Sequence, residues 1–330
     1  MTTSGDSPDY LWDPSAPADA DVAAVEEALR GLRFDPTRAP LRLERRPRRT
    51  PRFVAALAAA AALLLAAGTG FWVWRLQWPT GRAWELQAVD ASQVEVGRPI
   101  TLPVEQPALA RVARIGSMRI AGGSSFELRA TQATRHRLRL YDGQLHLRVF
   151  APPLSVVIET PAGDVIDMGC EFRLDANDTE SAVTVLSGWV QLENAEGEVM
   201  VPAGASSVMR RGALPSVPVF DDASDEFREM SVALESAATD PMEAARRLAL
   251  AARPRDVYTL LHLSARHPVG AGVLLRRAAE LAPPPDDVTV AEILRGNTQA
   301  LWSWSDALPL PSPKRWWRNW RDVFLLDGER

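Results

Sequence analysis

Residues 53–74 read FVAALAAAAALLLAAGTGFWVW, a run without a single charged side chain. A helix rises about 1.5 Å per residue, so this run would be about 33 Å long, close to the roughly 30 Å thickness of a hydrocarbon core. Inside such a core the backbone polar groups must be bonded within the segment, which a helix achieves. The alternative is an alanine-rich helix buried in a soluble domain. The run predicts one transmembrane helix over residues 51–76.

The flanks of this run favour the membrane and predict its orientation. Only Glu44 is acidic among the arginines that precede the run, whereas tryptophans suited to the headgroup level follow it. Because an arginine excess marks the cytoplasmic side, we expect a single-pass protein of the bacterial inner membrane, with its amino terminus cytoplasmic and its carboxyl terminus periplasmic. The run lacks a small-residue cleavage pattern, which indicates an anchor and not a removed signal peptide. The flanking residues are Arg38, Arg42, Arg45, Arg46, Arg48, Arg49 and Arg52 before the run, and Trp72, Trp74, Trp78 and Trp84 after it.

Residues 1–50 are predicted to form a cytoplasmic head with one short amphipathic helix. In DADVAAVEEALRGLR (19–33), apolar residues recur at helical spacing on one face. A single short helix cannot bury such a face and is marginal in water, so the face predicts docking into a groove on a partner protein. The alternatives are packing on a second copy or on the membrane. The head is acidic before Arg30, which favours a basic partner. The candidate partner-binding residues are Tyr10, Leu11, Trp12, Val22, Val25, Leu29 and Leu32.

From residue 84 to residue 219 the pattern changes to short alternating runs separated by turn residues. In RLRLYDGQLHLRV (137–149), leucines alternate with polar residues on both sides of Asp142-Gly143. An Asp-Gly pair tolerates the positive φ of a tight turn, so a β-hairpin is predicted here. Strands at this spacing are typical of a β-sandwich or jelly-roll-like stack.

Four segments of this region resemble the FecR-type domain, in the order that the family has them. They are IGSMRIAGGSSFEL (115–128), LYDGQLHLRV (140–149), ETPAGDVIDMGCEFRL (159–174) and VTVLSGWVQLENAEGEVMVPAG (183–204). The resemblance covers about residues 110–210. It implies a membrane-tethered regulator that binds an ECF-type sigma factor in the cytoplasm and receives a signal from an envelope ligand or from a periplasmic or outer-membrane protein. A TonB-dependent receptor is such a partner in one branch of the family.

The resemblance also assigns a set of motif residues, mostly at turns. Cys170 departs from the pattern, because the family commonly has threonine there, and we expect a weaker local turn bond. The lone thiol has two interpretations, a small core-facing residue or a redox sensor, and the first is favoured. The motif residues are Gly116, Gly143, Thr160, Pro161, Gly163, Gly169, Cys170, Phe172, Gly188 and Gly204.

Several functional classes are disfavoured by the composition. A formal net charge of -5 argues against direct nucleic-acid binding. One cysteine excludes an intrachain disulfide, and a head without His or Cys offers no zinc ligands, so no metal or cofactor is expected. No GxSxG, HExxH or CxxC motif occurs, and Asp164 and Asp167 lie in a turn-rich region where exposed carboxylates are routine. The chain is therefore not expected to be an enzyme.

Residues 222–330 lose the alternation and are predicted to be helical. Helices are expected at 225–238, 241–252, 255–267, 269–282 and 288–308, with Asp240-Pro241 starting the second. The core leucines would be Leu260, Leu261, Leu263, Leu274, Leu275 and Leu281. Three interpretations stay open for KRWWRNWRDVFLL (314–326): packing on these helices, an interfacial membrane helix, or binding of a glycan or protein.

The sequence thus predicts a multi-domain membrane protein with one transmembrane helix, an all-β domain and an all-α carboxyl-terminal region. The favoured function is a transmembrane signalling regulator of the anti-sigma type. The alternative is a cell-envelope scaffold or ligand-binding module that one helix tethers, without a transcriptional role.

Overall fold

The computed structural model describes residues 20–32, 52–87 and 93–310. The chain divides into two compact units, residues 1–63 and 64–330, and each is described by itself. The predicted apolar cluster Tyr10–Trp12, most of the arginine-rich flank and the tryptophan-rich stretch 314–326 lie outside the described residues.

The described part of the head is one short helix. Helix α1 runs over Ala20–Leu29 and is followed by a 3-10 turn at Arg30–Leu32. Asp21 lies in its first turn, where a carboxylate interacts favourably with the helix dipole. Arg30 and Glu27 form an ion pair of 2.7 Å, which contributes little because both side chains are exposed. No residue of α1 is buried.

Helix α2 is the apolar segment that the sequence singles out. It runs over Arg52–Leu76, and its stretch Ala56–Leu76 is long and apolar enough to cross a membrane. All side chains from residue 56 to residue 71 are exposed. Length, composition and the absence of burial within this stretch are compatible with a single-pass protein.

A large β region follows, in agreement with the alternating sequence. Its strands among the described residues are β1 (Trp84–Gln87), β2 (Gln93–Val94), β3 (Pro99–Thr101), β4 (Ala108–Val112), β5 (Gly116–Ile120), β6 (Ser125–Gln132), β7 (Arg135–Val149), β8 (Val156–Thr160), β9 (Gly163–Asp167), β10 (Glu171–Ala176), β11 (Glu180–Ser187), β12 (Trp189–Asn194), β13 (Gly197–Pro202), β14 (Ala205–Arg210) and β15 (Val219–Phe220).

The strands form two sheets that share β7. The first sheet has the order β2-β1-β4-β5-β7-β10-β11-β14-β15, and the second has the order β3-β6-β7-β8-β9-β12-β13. Residues 135–142 of β7 pair within the second sheet, and residues 143–149 pair within the first. Among these strand pairs β7–β8 is parallel, and the others are antiparallel. One strand therefore passes from one sheet into the other.

The alternation of buried residues changes phase in the middle of β7. Leu138 and Leu140 are buried in its first half, whereas Leu145 and Leu147 are buried in its second half. Even positions thus face the core before residue 143, and odd positions face it afterwards. This shift is required because the core lies on opposite sides of the strand in the two sheets.

The predicted hairpin at Asp142-Gly143 is wrong, because β7 continues through both residues. Gly143 has a φ of +112°, and this positive φ bends the strand where it changes sheets. The turn that precedes β7 lies at Ala133-Thr134, where Thr134 has a φ of +59°. An Asp-Gly pair between alternating runs is compatible with a turn and with a bend, and the neighbouring strands decide between them.

The carboxyl-terminal region is helical, as predicted. The helices are α3 (Asp225–Glu235), α4 (Pro241–Ala251), α5 (Val257–Arg266), α6 (Ala271–Leu281), α7 (Val290–Leu294) and α8 (Thr298–Ala307). The Asp240 side chain accepts a hydrogen bond from Glu243 N at 2.9 Å and caps α4. The continuous helix expected over 288–308 is wrong, because Gly296 adopts a φ of +88° and Asn297 caps a new helix.

The helices pack on the β region through hydrogen bonds to strand and loop carbonyls. Tyr258 OH donates to Met200 O at 2.7 Å, and Thr259 Oγ1 donates to Pro218 O at 2.7 Å. The predicted leucines of α5 and α6 join the same hydrophobic core as the strands, with Leu281 partly buried at its edge. The β and α regions therefore share one core.

The bend at Gly143 gives a stability prediction. A Cβ at this position would clash with the side chain and backbone of Ser124, in a backbone conformation that L residues avoid. We expect Gly143→Ala to lower the free energy of unfolding by about 3 kcal/mol. Gly212→Ala is the matched control, because Gly212 also has a positive φ, of +73°, but open space around it.

The control should cost about 1 kcal/mol, which is the backbone strain alone. The measurement is denaturant unfolding of the full chain in neutral detergent, followed by tryptophan fluorescence. Equal losses in the two variants would contradict the assigned role of Gly143.

Candidate partner-binding and coupling sites

The first candidate site is the apolar face of α1, which consists of Val22, Val25, Leu29 and Leu32 and is called the head face below. Val25 is 57% exposed, Leu29 is 52% exposed and Leu32 is 81% exposed, while Val22 is half-buried. Positions three and four apart in a helix are neighbours, so Val22, Val25 and Leu29 form one stripe. The structure therefore places the predicted helical residues together on an exposed surface.

The second candidate site is the point where α2 meets the β region, called the joint below. Arg114 lies in the turn between β4 and β5, and its Nη1 donates to Trp74 O at 2.9 Å and to Gln77 O at 3.2 Å. The last carbonyls of a helix lack partners within the helix and carry partial negative charge. Arg114 satisfies two carbonyls there, so it caps the end of α2 from the β region.

Aromatic rings complete the joint. The Arg114 guanidinium lies 4.3 Å from the ring centre of Trp74, an arrangement that attracts a cation to the ring. The rings of Trp72 and Phe150 lie 5.5 Å apart, and Arg82 stacks on Trp78 at 4.8 Å. These contacts hold the last turns of α2 against the β region.

Of the tryptophans expected to lie at the membrane headgroup level, some are exposed and others are packed inside the folded region. Trp74 is 53% exposed, but Trp78 packs against the β region and Trp84 is fully buried at the start of β1. The expectation is wrong for Trp78 and Trp84, because the chain enters the folded domain within a few residues of the end of α2. A ring that packs in a core cannot be told from an interfacial ring by composition.

The TPxG motif forms the hairpin between β8 and β9. Thr160 Oγ1 donates to Gly163 O at 2.7 Å and accepts from Gly163 N at 3.2 Å. Pro161 and Ala162 occupy the turn itself. Ser181 Oγ also donates to Thr160 Oγ1 at 2.8 Å, which ties the hairpin to β11 in the first sheet. The motif residues here are structural.

The turn after β9 is organised by a buried carboxylate. Asp167 Oδ1 accepts from Gly169 N at 3.0 Å, from Cys170 N at 2.9 Å and from Cys170 Sγ at 2.7 Å. Burial raises the pKa of Asp167 to about 7 and also raises the pKa of the Cys170 thiol. A thiol with a raised pKa and no exposure is a poor nucleophile, which favours the core-facing interpretation of Cys170. The side-chain bond of the turn is retained despite the missing threonine hydroxyl.

The other motif residues have packing roles. Gly116 opens β5, where a Cβ would clash with the backbone of Arg148. Gly188 has a φ of +72° and lies against Gly169 O, and Gly204 has a φ of +78° beneath Arg255. Phe172 is a fully buried core residue of β10 and does not lie in a turn.

Asp164 and Asp167 do not form a paired catalytic site. They lie three residues apart in β9, so their side chains point to opposite faces of the strand. Asp164 is 3.8 Å from the Arg137 guanidinium on the outer face, whereas Asp167 is buried. In the described ranges, no group of three or more His, Cys, Asp or Glu side chains is arranged to hold a metal ion.

Parts of the chain are similar to two crystal structures of candidate anti-sigma factors from Parabacteroides distasonis. The first has a TM-score of 0.34 and 14% identity, and the match covers 38% of this chain and 60% of that chain. The second has a TM-score of 0.28 and 14% identity, and the match covers 49% of this chain and 74% of that chain. The chain thus spans less than two thirds of the first structure. No protein-family model and no curated protein matches the sequence.

The joint was missed in the sequence, and only part of it left a signal there. The tryptophans in and just after the last turn of α2 mark the end of the helix, but Arg114 and Phe150 come from distant turns and strand ends. Nothing in their local sequence indicates that they meet α2.

The joint gives a prediction about local protection. We expect Arg114→Met to remove the two hydrogen bonds to α2 and to increase hydrogen exchange in residues 73–78 by about tenfold, because a charged donor is lost. Arg135→Met is the control, since Arg135 is an exposed arginine of β7 outside the joint. Exchange measured by mass spectrometry on the full chain in detergent tests this. Unchanged exchange in Arg114→Met would rule out the capping role.

Asp167 gives a prediction about pH. Between about pH 4 and about pH 7 the unfolded carboxyl ionises while the folded one keeps its proton, so its contribution to stability is lost as pH rises through this window. Asp167→Asn keeps an oxygen acceptor and has no proton to lose. We expect the stability of this variant relative to the original chain to rise across the window, by up to about 4 kcal/mol at its upper end.

The buried His136 and His262, whose pKa values burial lowers to about 4, act in the opposite direction but are present in both chains and cancel. Asp167→Ala serves as a second variant, because it also removes the acceptor and should be destabilised at every pH. Unfolding curves at both ends of the window provide the test. A pH-independent difference between Asp167→Asn and the original chain would show that the buried carboxyl does not titrate as described.

Proposed function

We propose that the chain is a membrane-tethered regulator of the FecR type, which holds an ECF-type sigma factor in the cytoplasm and senses an envelope signal through its β-rich domain in the periplasm. The observation that carries this proposal is the exposed head face of α1. It lies in a segment that precedes an apolar helix with no buried side chain from residue 56 to residue 71.

The head face has the size and chemistry of a helix-in-groove ligand. Burying a valine or leucine side chain contributes about 1.5–3 kcal/mol, so burial of these four side chains in a groove would contribute about 6–12 kcal/mol to docking. Asp21 and Glu26 are exposed on the same helix and add negative charge beside the head face. A basic partner that binds DNA is complementary to this charge.

The membrane orientation supports the same proposal. The arginine-rich flank before α2 favours a cytoplasmic head, and the motif order of the FecR type favours a signal received on the other side. The head contains neither His nor Cys, so sigma-factor binding would be metal-free. These features favour a regulator whose two ends face different compartments.

The joint supplies a route from the β region to the membrane helix. Because Arg114 and the packed rings hold the end of α2, a change in the β region would be passed to the helix without loss in a flexible linker. Release of the sigma factor would then follow a conformational change. The alternative is cleavage near the membrane, and the joint would limit access to that segment until a signal disturbs it.

The head face gives a direct test. We expect Val25→Asp combined with Leu29→Asp to abolish binding of the ECF-type sigma factor partner, because two charges would have to be buried in an apolar groove. Ala20→Asp combined with Ala24→Asp is the matched control, since both alanines are exposed on the opposite side of α1. Pull-down with the full chain and a reporter of sigma-dependent transcription give the two readouts. Retained binding in the first variant would exclude the head face as the docking surface.

A tethered scaffold or ligand-binding module is the second candidate, and it is favoured by a cavity of about 410 Å³ on the β region. Deletion of residues 1–50 distinguishes the two functions. A regulator loses control of transcription in this deletion, whereas a scaffold keeps its function because the β region and α2 are unchanged.

A further inference from the structure

The outer face of the first sheet carries a row of basic side chains, two arginines and a histidine, on three neighbouring strands. Arg119 of β5 pairs in register with His146 of β7, and His146 pairs in register with Arg173 of β10. Directly opposite residues point to the same face, so all three side chains project away from the core. The surface around them is called the arginine trough below.

The spacing of the strands brings the two arginines within reach of one ligand. Adjacent strands lie about 4.8 Å apart, so the Cα atoms of Arg119 and Arg173 are roughly 10 Å apart. The long, flexible arginine side chains can bring their guanidinium groups toward one ligand from either side of His146. The row is thus wide enough to hold an anionic group between its two ends.

Three arginines of the second sheet differ from these two in their ion pairs. Arg129 lies 2.9 Å from Glu127, while Arg137 and Arg139 lie 2.7 Å and 3.0 Å from Glu159. On the first sheet, neither Arg119 nor Arg173 has a carboxylate of the described residues within ion-pair distance.

The carboxylate nearest to the centre of the row is already bound. Glu171 Oε1 lies 2.9 Å from His146 Nε2, and Glu171 Oε2 lies 3.7 Å from Arg148 Nε. Arg119 and Arg173 lie two strands apart, with His146 between them. The two outer arginines of the row therefore offer a positive site that an anion would fill.

A cavity of about 410 Å³ lies over this row and gives it the dimensions of a ligand site. Besides the row itself, Pro107 and Ala121 line it, and its other polar groups are Gln144 and Asp175. Gln144 Nε2 donates to Asp175 Oδ2 at 2.8 Å. A carboxylate and an amide at one end, with guanidinium groups nearby, suit a ligand that is anionic at one end and carries hydroxyl groups at the other.

We propose that the arginine trough binds a sugar that carries one oxyanion group, either a sugar acid or a sugar phosphate. Arg119 and Arg173 clamp the oxyanion by charge-assisted hydrogen bonds, and Asp175 and Gln144 bind the hydroxyl groups. A guanidinium matches a carboxylate or phosphate with two parallel N–H donors. Asp175 repels a ligand that is anionic throughout. The site does not depend on whether the head binds a sigma factor.

The test is titration calorimetry of the full chain in neutral detergent with four probes: glucuronate, glucose 6-phosphate, glucose and inorganic phosphate. We expect saturable binding of glucuronate or glucose 6-phosphate that weakens with added salt, and none of glucose. The anionic sugar that binds more tightly identifies whether the oxyanion is a carboxylate or a phosphate.

Variants assign the roles. Arg119→Gln combined with Arg173→Gln should weaken binding of the anionic sugar by about tenfold or more. The affinity of Arg173→Lys should fall between that of this variant and that of the original chain, because lysine keeps the positive charge but lacks the two parallel N–H donors of arginine. Asp175→Ala should weaken the binding of the anionic sugar but not the binding of inorganic phosphate. Arg98→Gln combined with Arg135→Gln is the matched control, since it removes two exposed arginines outside the trough.

Three results would overturn the proposal. The first is no saturable binding of either anionic sugar. The second is a loss of affinity in the control variant equal to that of the Arg119→Gln and Arg173→Gln double variant, which would indicate a non-specific charge effect. The third is inorganic phosphate that binds as tightly as the anionic sugars, together with no effect of Asp175→Ala. The substituted side chains are exposed, and circular dichroism checks that each variant is folded.

Discussion

The β region depends on one strand that belongs to two sheets. Strand β7 pairs with β6 and β8 in its first half and with β5 and β10 in its second half, so its bend at Gly143 sets how the two sheets face each other. The buried leucines change phase at this bend, and both halves thereby face one core. Gln144 and His146 follow directly, which places the arginine trough beside the crossing. The backbone conformation of Gly143 thus determines both how the buried leucines face the core and where the arginine trough lies on the outer face.

The second constraint is the capped end of α2. Unpaired carbonyls at a helix end need donors, and here the donor is a side chain from the turn between β4 and β5. The same guanidinium lies against an indole ring, so the polar cap is also packed. A helix that ended in a flexible linker would leave the β region free to turn. The cap holds the last turns of α2 against the β region, and this is why the joint is central to the proposed signalling.

The carboxyl-terminal helices are an integral part of the folded unit. They share the hydrophobic core of the strands, and Tyr258 and Thr259 donate hydrogen bonds to carbonyls of the β region. The two sheets also differ on their outer faces, since three arginines of the second are paired with glutamates and two of the first are not. This difference in charge pairing, more than the shape of either face, identifies the surface that is able to take a ligand.

The sequence by itself determined the features that follow from local periodicity: the apolar helix α2, the amphipathic α1, the β character of the middle region and the helical end. These rest on contacts between near neighbours, which composition and spacing record. Tertiary structure alone decided that Asp142-Gly143 bends a strand, that Trp78 and Trp84 pack inward, and that Gly296 divides a helix. It also brought together Arg114 with α2 and Arg119 with Arg173, because pairing between distant segments depends on sheet register, which no local pattern encodes.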